Sequence, residues 1–109
     1  MKELYLFLKG TSAAYQTLEE LKSEGYNATV LSAEGLRHAI EYYPEDHHFF
    51  TLRHYERKEE IEMILCVFLV ADEKLENIKQ TIRNYTNNFK DIKGAMYSHD
   101  IVDYEGSFE

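Results

Sequence analysis

The residues best equipped for chemistry crowd into one stretch, YYPEDHHFFTLRHYE at positions 42 to 56. The imidazoles of His47, His48 and His54, beside the carboxylates of Glu45 and Asp46, are donors suited to zinc or copper, and in a symmetric assembly several copies would converge on an axis. Their spacing matches no ligand signature, and adjacent histidines on an extended strand point to opposite faces. Without a metal they are exposed polar side chains that titrate near neutral pH. Tyr42, Tyr43, Phe49, Phe50 and Tyr55 give the same stretch apolar contact area, while its charges keep it soluble. Such a mixture describes a projecting arm that touches a partner. His38 and His99 each stand alone in sequence.

Catalytic chemistry finds less support. The chain has no Gly-x-Ser-x-Gly, no Gly-rich phosphate loop ending in Lys-Ser/Thr and no His-Glu-x-x-His. Its one cysteine, Cys66, lies inside the apolar run MILCVFLV, where desolvation disfavours the thiolate. The paired carboxylates Glu19-Glu20, Glu59-Glu60 and Asp72-Glu73 fall at helix starts and on solvated faces. The expectation is a binding protein, not an enzyme.

Composition narrows the partners. A formal net charge of -8 on 109 residues leaves little to displace counterions from nucleic acid or to hold an anionic membrane. The longest apolar run, Met63 to Ala71, is far below the ~18 residues that a membrane span needs. The N-terminal apolar run is too short for a signal peptide, and a single cysteine suits a reducing compartment. These features predict one cytoplasmic domain over residues 1–109.

The elements that must position the arm follow from periodicity. LYLFLKG, ending at Gly10, predicts a buried strand. Thr11 or Ser12 then caps a helix whose Ala14, Leu18 and Leu21 share a face, and Gly25 stops it. YNATVL predicts a second strand, and Ser32 is placed to cap a short helical turn through Leu36, Ala39 and Ile40. Within the arm, Phe50, Leu52 and His54 share one face of an extended segment. Ile61 to Val70 predicts a central strand covered on both faces. Asp72 is placed to cap a helix with Leu75, Ile78, Ile82, Tyr85 and Phe89 on its stripe. GAMYSHDIVDYEG predicts a last strand and an acidic tail. The order βαββαβ predicts an α+β ferredoxin-like sandwich: a four-stranded antiparallel sheet, two helices on one face, and a long loop between the middle strands. Both faces of the strands are apolar, so the second face predicts a homo-oligomer.

Three stretches carry a family resemblance. LKSEGYNATVLSAEGLRHA resembles the end of the first helix, the second strand and the start of the projecting T-loop in PII-like cyclic-dinucleotide receptors, through Ala28-Thr29, Leu31, Gly35 and Leu36-Arg37. EEIEMILCVFLVADEKLENIKQTI resembles the third strand and second helix of PII proteins, and GAMYSHDIV stands where their fourth strand does. The chain thus resembles the PII-like superfamily, which includes the PII signalling proteins, those receptors and the CutA proteins. PII proteins hold nucleotide phosphates with a Gly- and Lys-rich segment before the last strand; FKDIKGAM occupies that place here.

The resemblance implies a homotrimer with sheets facing inward and an effector, an adenine nucleotide or a cyclic dinucleotide, in clefts between subunits. It implies a T-loop over residues 37–60 that binds a target such as a transporter or an enzyme. Thr29, Gly35, Leu36 and Arg37 are the effector-binding candidates, and Tyr42, Tyr43, Phe49, Phe50 and Tyr55 the partner-binding ones. Two alternatives stand beside it: a CutA-like metal-binding protein using His47, His48 and His54, and a small-molecule-binding domain with no recognisable motif.

Overall fold

The computed structural model of the chain describes residues 1–42 and 62–107. Strand β1 spans Lys2–Lys9, helix α1 Ser12–Ser23, strand β2 Ala28–Ala33 and helix α2 Leu36–Tyr42. Strand β3 spans Met63–Val70; a 3-10 turn, Asp72–Lys74, leads into helix α3, Leu75–Thr86, and strand β4 spans Gly94–Asp100. The four strands form one sheet in the order β2-β3-β1-β4, with all three neighbouring pairs antiparallel. This is the expected ferredoxin-like sandwich.

Alternation along the strands sorts the side chains. Leu4, Leu6 and Leu8 of β1 and Ile64, Cys66, Phe68 and Val70 of β3 are buried on one face, together with Ala14 and Leu21 of α1 and Ile78 and Ile82 of α3. Burying each large side chain contributes roughly 1.5–3 kcal/mol, so this layer between sheet and helices is the main source of stability. The other face carries Tyr5, Phe7, Leu31, Leu65, Val67 and Tyr97, set opposite one another by the register. Among the described residues, central β3 is therefore covered on one face, not two. Ile61 lies outside the described residues.

The helix ends follow from local chemistry. Thr11 is extended (φ -131°, ψ 166°) and its hydroxyl accepts the Ala14 N–H at 3.2 Å, as expected of a cap. At the other end the Gly25 N–H donates to Lys22 O and the Tyr26 N–H to Leu21 O, a Schellman pair. It needs the left-handed backbone that Gly25 supplies at φ +93°.

Two expected caps are displaced. Ser32 lies inside β2, and the first bond of α2 runs instead from the Ala39 N–H to Gly35 O. Asp72 sits in the 3-10 turn, where its carboxylate accepts the Met1 ammonium at 2.7 Å, and α3 begins without a side-chain cap. The stripe of α3 is also shorter than periodicity suggests. Tyr85 is exposed, its hydroxyl donating to Glu20 Oε1, and the helix ends at Thr86. Asn87, Asn88 and Phe89 then take positive φ of 52°, 56° and 62°. The buried Thr86 hydroxyl holds this turn, donating to Ile82 O at 2.8 Å and accepting the Phe89 N–H at 3.1 Å.

Candidate functional site

Pairing gathers four chain segments at one end of the sheet. Ala33 and Lys9 flank Met63 across three strands, and the Lys9 N–H donates to Lys93 O at 2.8 Å. Glu62 joins them: its carbonyl accepts the Gly10 N–H at 3.1 Å and its carboxylate the Gly35 N–H at 3.2 Å. The base of the 43–61 segment is thereby tied to the turn after β1.

A cavity of about 260 Å³ opens there, lined by Lys9, Glu62, Met63, Lys93 and Gly94. Neither lysine has an ion-pair partner among the described residues, in a chain of net charge -8. Two lysines lining one cavity suit an anionic group such as a phosphate or carboxylate, with the Glu62 carboxylate accepting the Gly35 N–H. Gly94 makes the juxtaposition possible, because a Cβ on it would lie 1.9 Å from Phe7 O.

Of the residues singled out in the sequence, Gly35, Leu36 and Arg37 lie at this end, at the start of α2, with Leu36 79% exposed. Thr29 lies nearer the other end of β2, opposite Val67; the structure does not bring it to Gly35. Lys9 was not visible as a site residue, since nothing local distinguishes it; only the β1–β3 and β1–β4 registers place it beside Lys93. Tyr43, Phe49, Phe50, Tyr55, His47, His48 and His54 lie outside the described residues, as does the Tyr42 side chain. Among the described residues no group of three His, Cys, Asp or Glu side chains is arranged to hold a metal ion.

The open face of the sheet carries a ladder that sequence reading also missed. Tyr5 and Tyr97 stack at 5.1 Å between ring centroids, Phe7 and Tyr97 at 6.0 Å, and Tyr5 and His99 at 5.8 Å. Glu3 ends it, accepting the Tyr5 hydroxyl at 2.9 Å and approaching His99 Nε2 at 2.9 Å. The hydrogen bond to Glu3 raises the Tyr5 phenol above its usual range, because losing the proton would break it. His99 stands alone along the chain, but antiparallel pairing sets it opposite Glu3.

On the helix side, burial pushes the Cys66 thiol up to about 11, so it stays protonated and unreactive. No helix among the described residues is long and apolar enough to cross a membrane.

The sheet order, the layer of two helices and the long β2–β3 connection define a ferredoxin-like fold. A solved structure from Thiomonas intermedia K12, CPII bound to ADP, AMP and acetate, is similar over 92% of this chain and 84% of its own, with a TM-score of 0.58 and 17% sequence identity. No protein-family model matches the chain, and no curated protein does.

Proposed function

We propose that the protein is a PII-like regulatory protein rather than an enzyme. In this reading it is a cytoplasmic homotrimer that senses an adenine nucleotide or a cyclic dinucleotide and presents its 37–60 loop to a protein target such as a transporter. The observation that carries the reading is the loop-end cavity. Lys9 and Lys93, without ion-pair partners among the described residues, offer positive charge, and Glu62 ties that cavity to Gly35, at the start of the loop. An anion bound there lies beside Glu62 at the loop's base, so any difference in its affinity between two loop conformations biases the loop. The similar CPII structure, with its ADP and AMP, points to the nucleotide class.

The trimer is supported by the open face. Leu31 and Tyr97, on the two edge strands, are 50% and 55% exposed, with the aromatic ladder and Val67 between them. A face this apolar calls for a cover, and copies of the same chain supply one.

Calorimetric titration with ADP, AMP, ATP and cyclic dinucleotides tests the ligand half. At least one binds, and Lys9→Glu or Lys93→Glu weakens it about tenfold or more, since reversing a charge near a phosphate costs on the order of 1–2 kcal/mol even in a watery site. Absence of heat with all of them removes the nucleotide reading. Light scattering after size exclusion tests the assembly: a mass near three chains is expected, and a monomer at all concentrations refutes the trimer.

A further inference from the structure

His99 stands where the aromatic ladder of the open face meets charge. Its Nε2 lies 2.9 Å from Glu3 Oε1 on β1, and its Nδ1 lies 3.1 Å from the Asp100 carbonyl oxygen. A carboxylate and a carbonyl oxygen only accept hydrogen bonds. A neutral imidazole carries one N–H and satisfies one of them, whereas an imidazolium carries two and satisfies both. The site is shaped for the charged ring.

The surroundings favour the same form. Glu3 and Asp103 line the hollow beside the ring, and among the described residues no lysine or arginine does. Lys2 is committed to the Asp100 carboxylate. From β1 the Tyr5 ring stacks on His99 at 5.8 Å, and its hydroxyl already donates to the same Glu3 oxygen at 2.9 Å. Tyr97, on β4 itself, stacks on Tyr5 in turn, and Tyr104 and Leu69 complete the walls near the ring. In a single chain the Glu3 side chain is 23% exposed and the imidazole 52%, so water helps to solvate both. Copies that cover this face remove that water, and a carboxylate without its cation is then the costly state.

We propose that His99 is a proton-operated latch for self-association. With its second proton it neutralises Glu3 and joins β4 to β1 beneath the covering copy; without it, each chain brings an uncompensated carboxylate to the shared face. The inference rests on the trimer reading, which supplies the cover. Its sign follows from linkage: the assembled state holds a proton that separated chains release, so association weakens as pH rises through the imidazole range. Each such proton changes the dissociation constant by up to about tenfold per pH unit.

Light scattering of the full-length protein over a concentration series, from about pH 6 to about pH 8, reads the dissociation constant. It is expected to rise about tenfold or more across that range. His99→Gln keeps a donor for Glu3 but never carries charge, and Glu3→Gln keeps an acceptor for the Tyr5 hydroxyl but has no charge to neutralise. Both variants are expected to lose most of the pH dependence, although His38, His47, His48 and His54 still titrate; circular dichroism checks that each is folded. In nitrogen–proton spectra the ring signals missing from His99→Gln belong to His99, and two N–H groups are expected on that ring in the assembled protein at about pH 6. A trimer whose dissociation ignores pH, variants as pH-dependent as the wild type, or a single N–H on His99 overturns the latch and leaves the trimer standing. A monomer at every pH overturns the trimer reading and the latch with it.

Discussion

Replacing Gly94 with alanine tests whether the close approach of β4 to β1 holds the two lysines together. The added Cβ would lie 1.9 Å from Phe7 O, 3.0 Å from Phe7 C and 3.1 Å from a Leu8 methyl. Side-chain rotation relieves only the last contact, because the first two are backbone of a central strand. To reach even 3.0 Å from the oxygen, β4 must draw back by about 1 Å or β1 must buckle. Overpacking of this kind costs roughly 1–3 kcal/mol, and loss of the Lys9 N–H to Lys93 O bond adds about 1 kcal/mol. The sum, about 2–4 kcal/mol, is a large part of a typical domain's stability. At about 4–8 °C per kcal/mol it lowers Tm by roughly 8 °C or more. Urea unfolding followed by circular dichroism reads the effect, with Gly25→Ala as the contrast. There nothing lies within 4 Å of the new Cβ and only the left-handed φ of +93° is penalised, a cost of about 1–2 kcal/mol. Stability of Gly94→Ala equal to wild type, or loss smaller than for Gly25→Ala, would refute the close-approach argument.

Three further outcomes follow from the same geometry. The Cys66 thiol, raised from 9.0 to about 11 by burial, resists a thiol reagent at pH 8 in the native protein and reacts at once in denaturant. Because the folded state holds this proton more tightly than the unfolded one, stability falls as pH rises from about 9 to about 11; fast native labelling would contradict the burial. Thr86→Val keeps the volume but strips the Phe89 N–H of its acceptor, so urea unfolding is expected to show a loss of about 1–3 kcal/mol, and an unchanged midpoint would show that the turn does not depend on the hydroxyl. Zinc or copper titration distinguishes the metal alternative. If His47, His48 and His54 are loop residues and not ligands, changing all three to alanine leaves metal affinity where it was, and a drop of tenfold or more would favour the CutA-like reading.

The fold was legible from periodicity because burial on the helix side is a local pattern. LYLFL and MILCVFLV announce central strands, Ala14 and Leu21 mark the inner face of α1, and Gly25 closes a motif whose geometry glycine alone adopts without strain. The misplacements share one cause, competition from a group far away in sequence. Asp72 would cap α3 on propensity, but the Met1 ammonium, brought near by β1–β3 pairing, takes its carboxylate. Tyr85 follows the helical period, yet its hydroxyl finds Glu20 on α1 and keeps the ring at the surface.

Sequence by itself determined the order of elements, the apolar character of both sheet faces and the acidic charge, since each depends on residue type and near neighbours. It also singled out Gly35, Leu36 and Arg37, and the segment holding Lys93. Only the tertiary structure decided that Lys9 stands beside Lys93, that His99 stands opposite Glu3, and that Thr29 lies apart from Gly35. The first two depend on strand register, which joins residues 84 and 96 positions apart. A one-residue slip would turn every side chain to the other face, and nothing local to Lys9 or His99 records which register the buried leucines enforce.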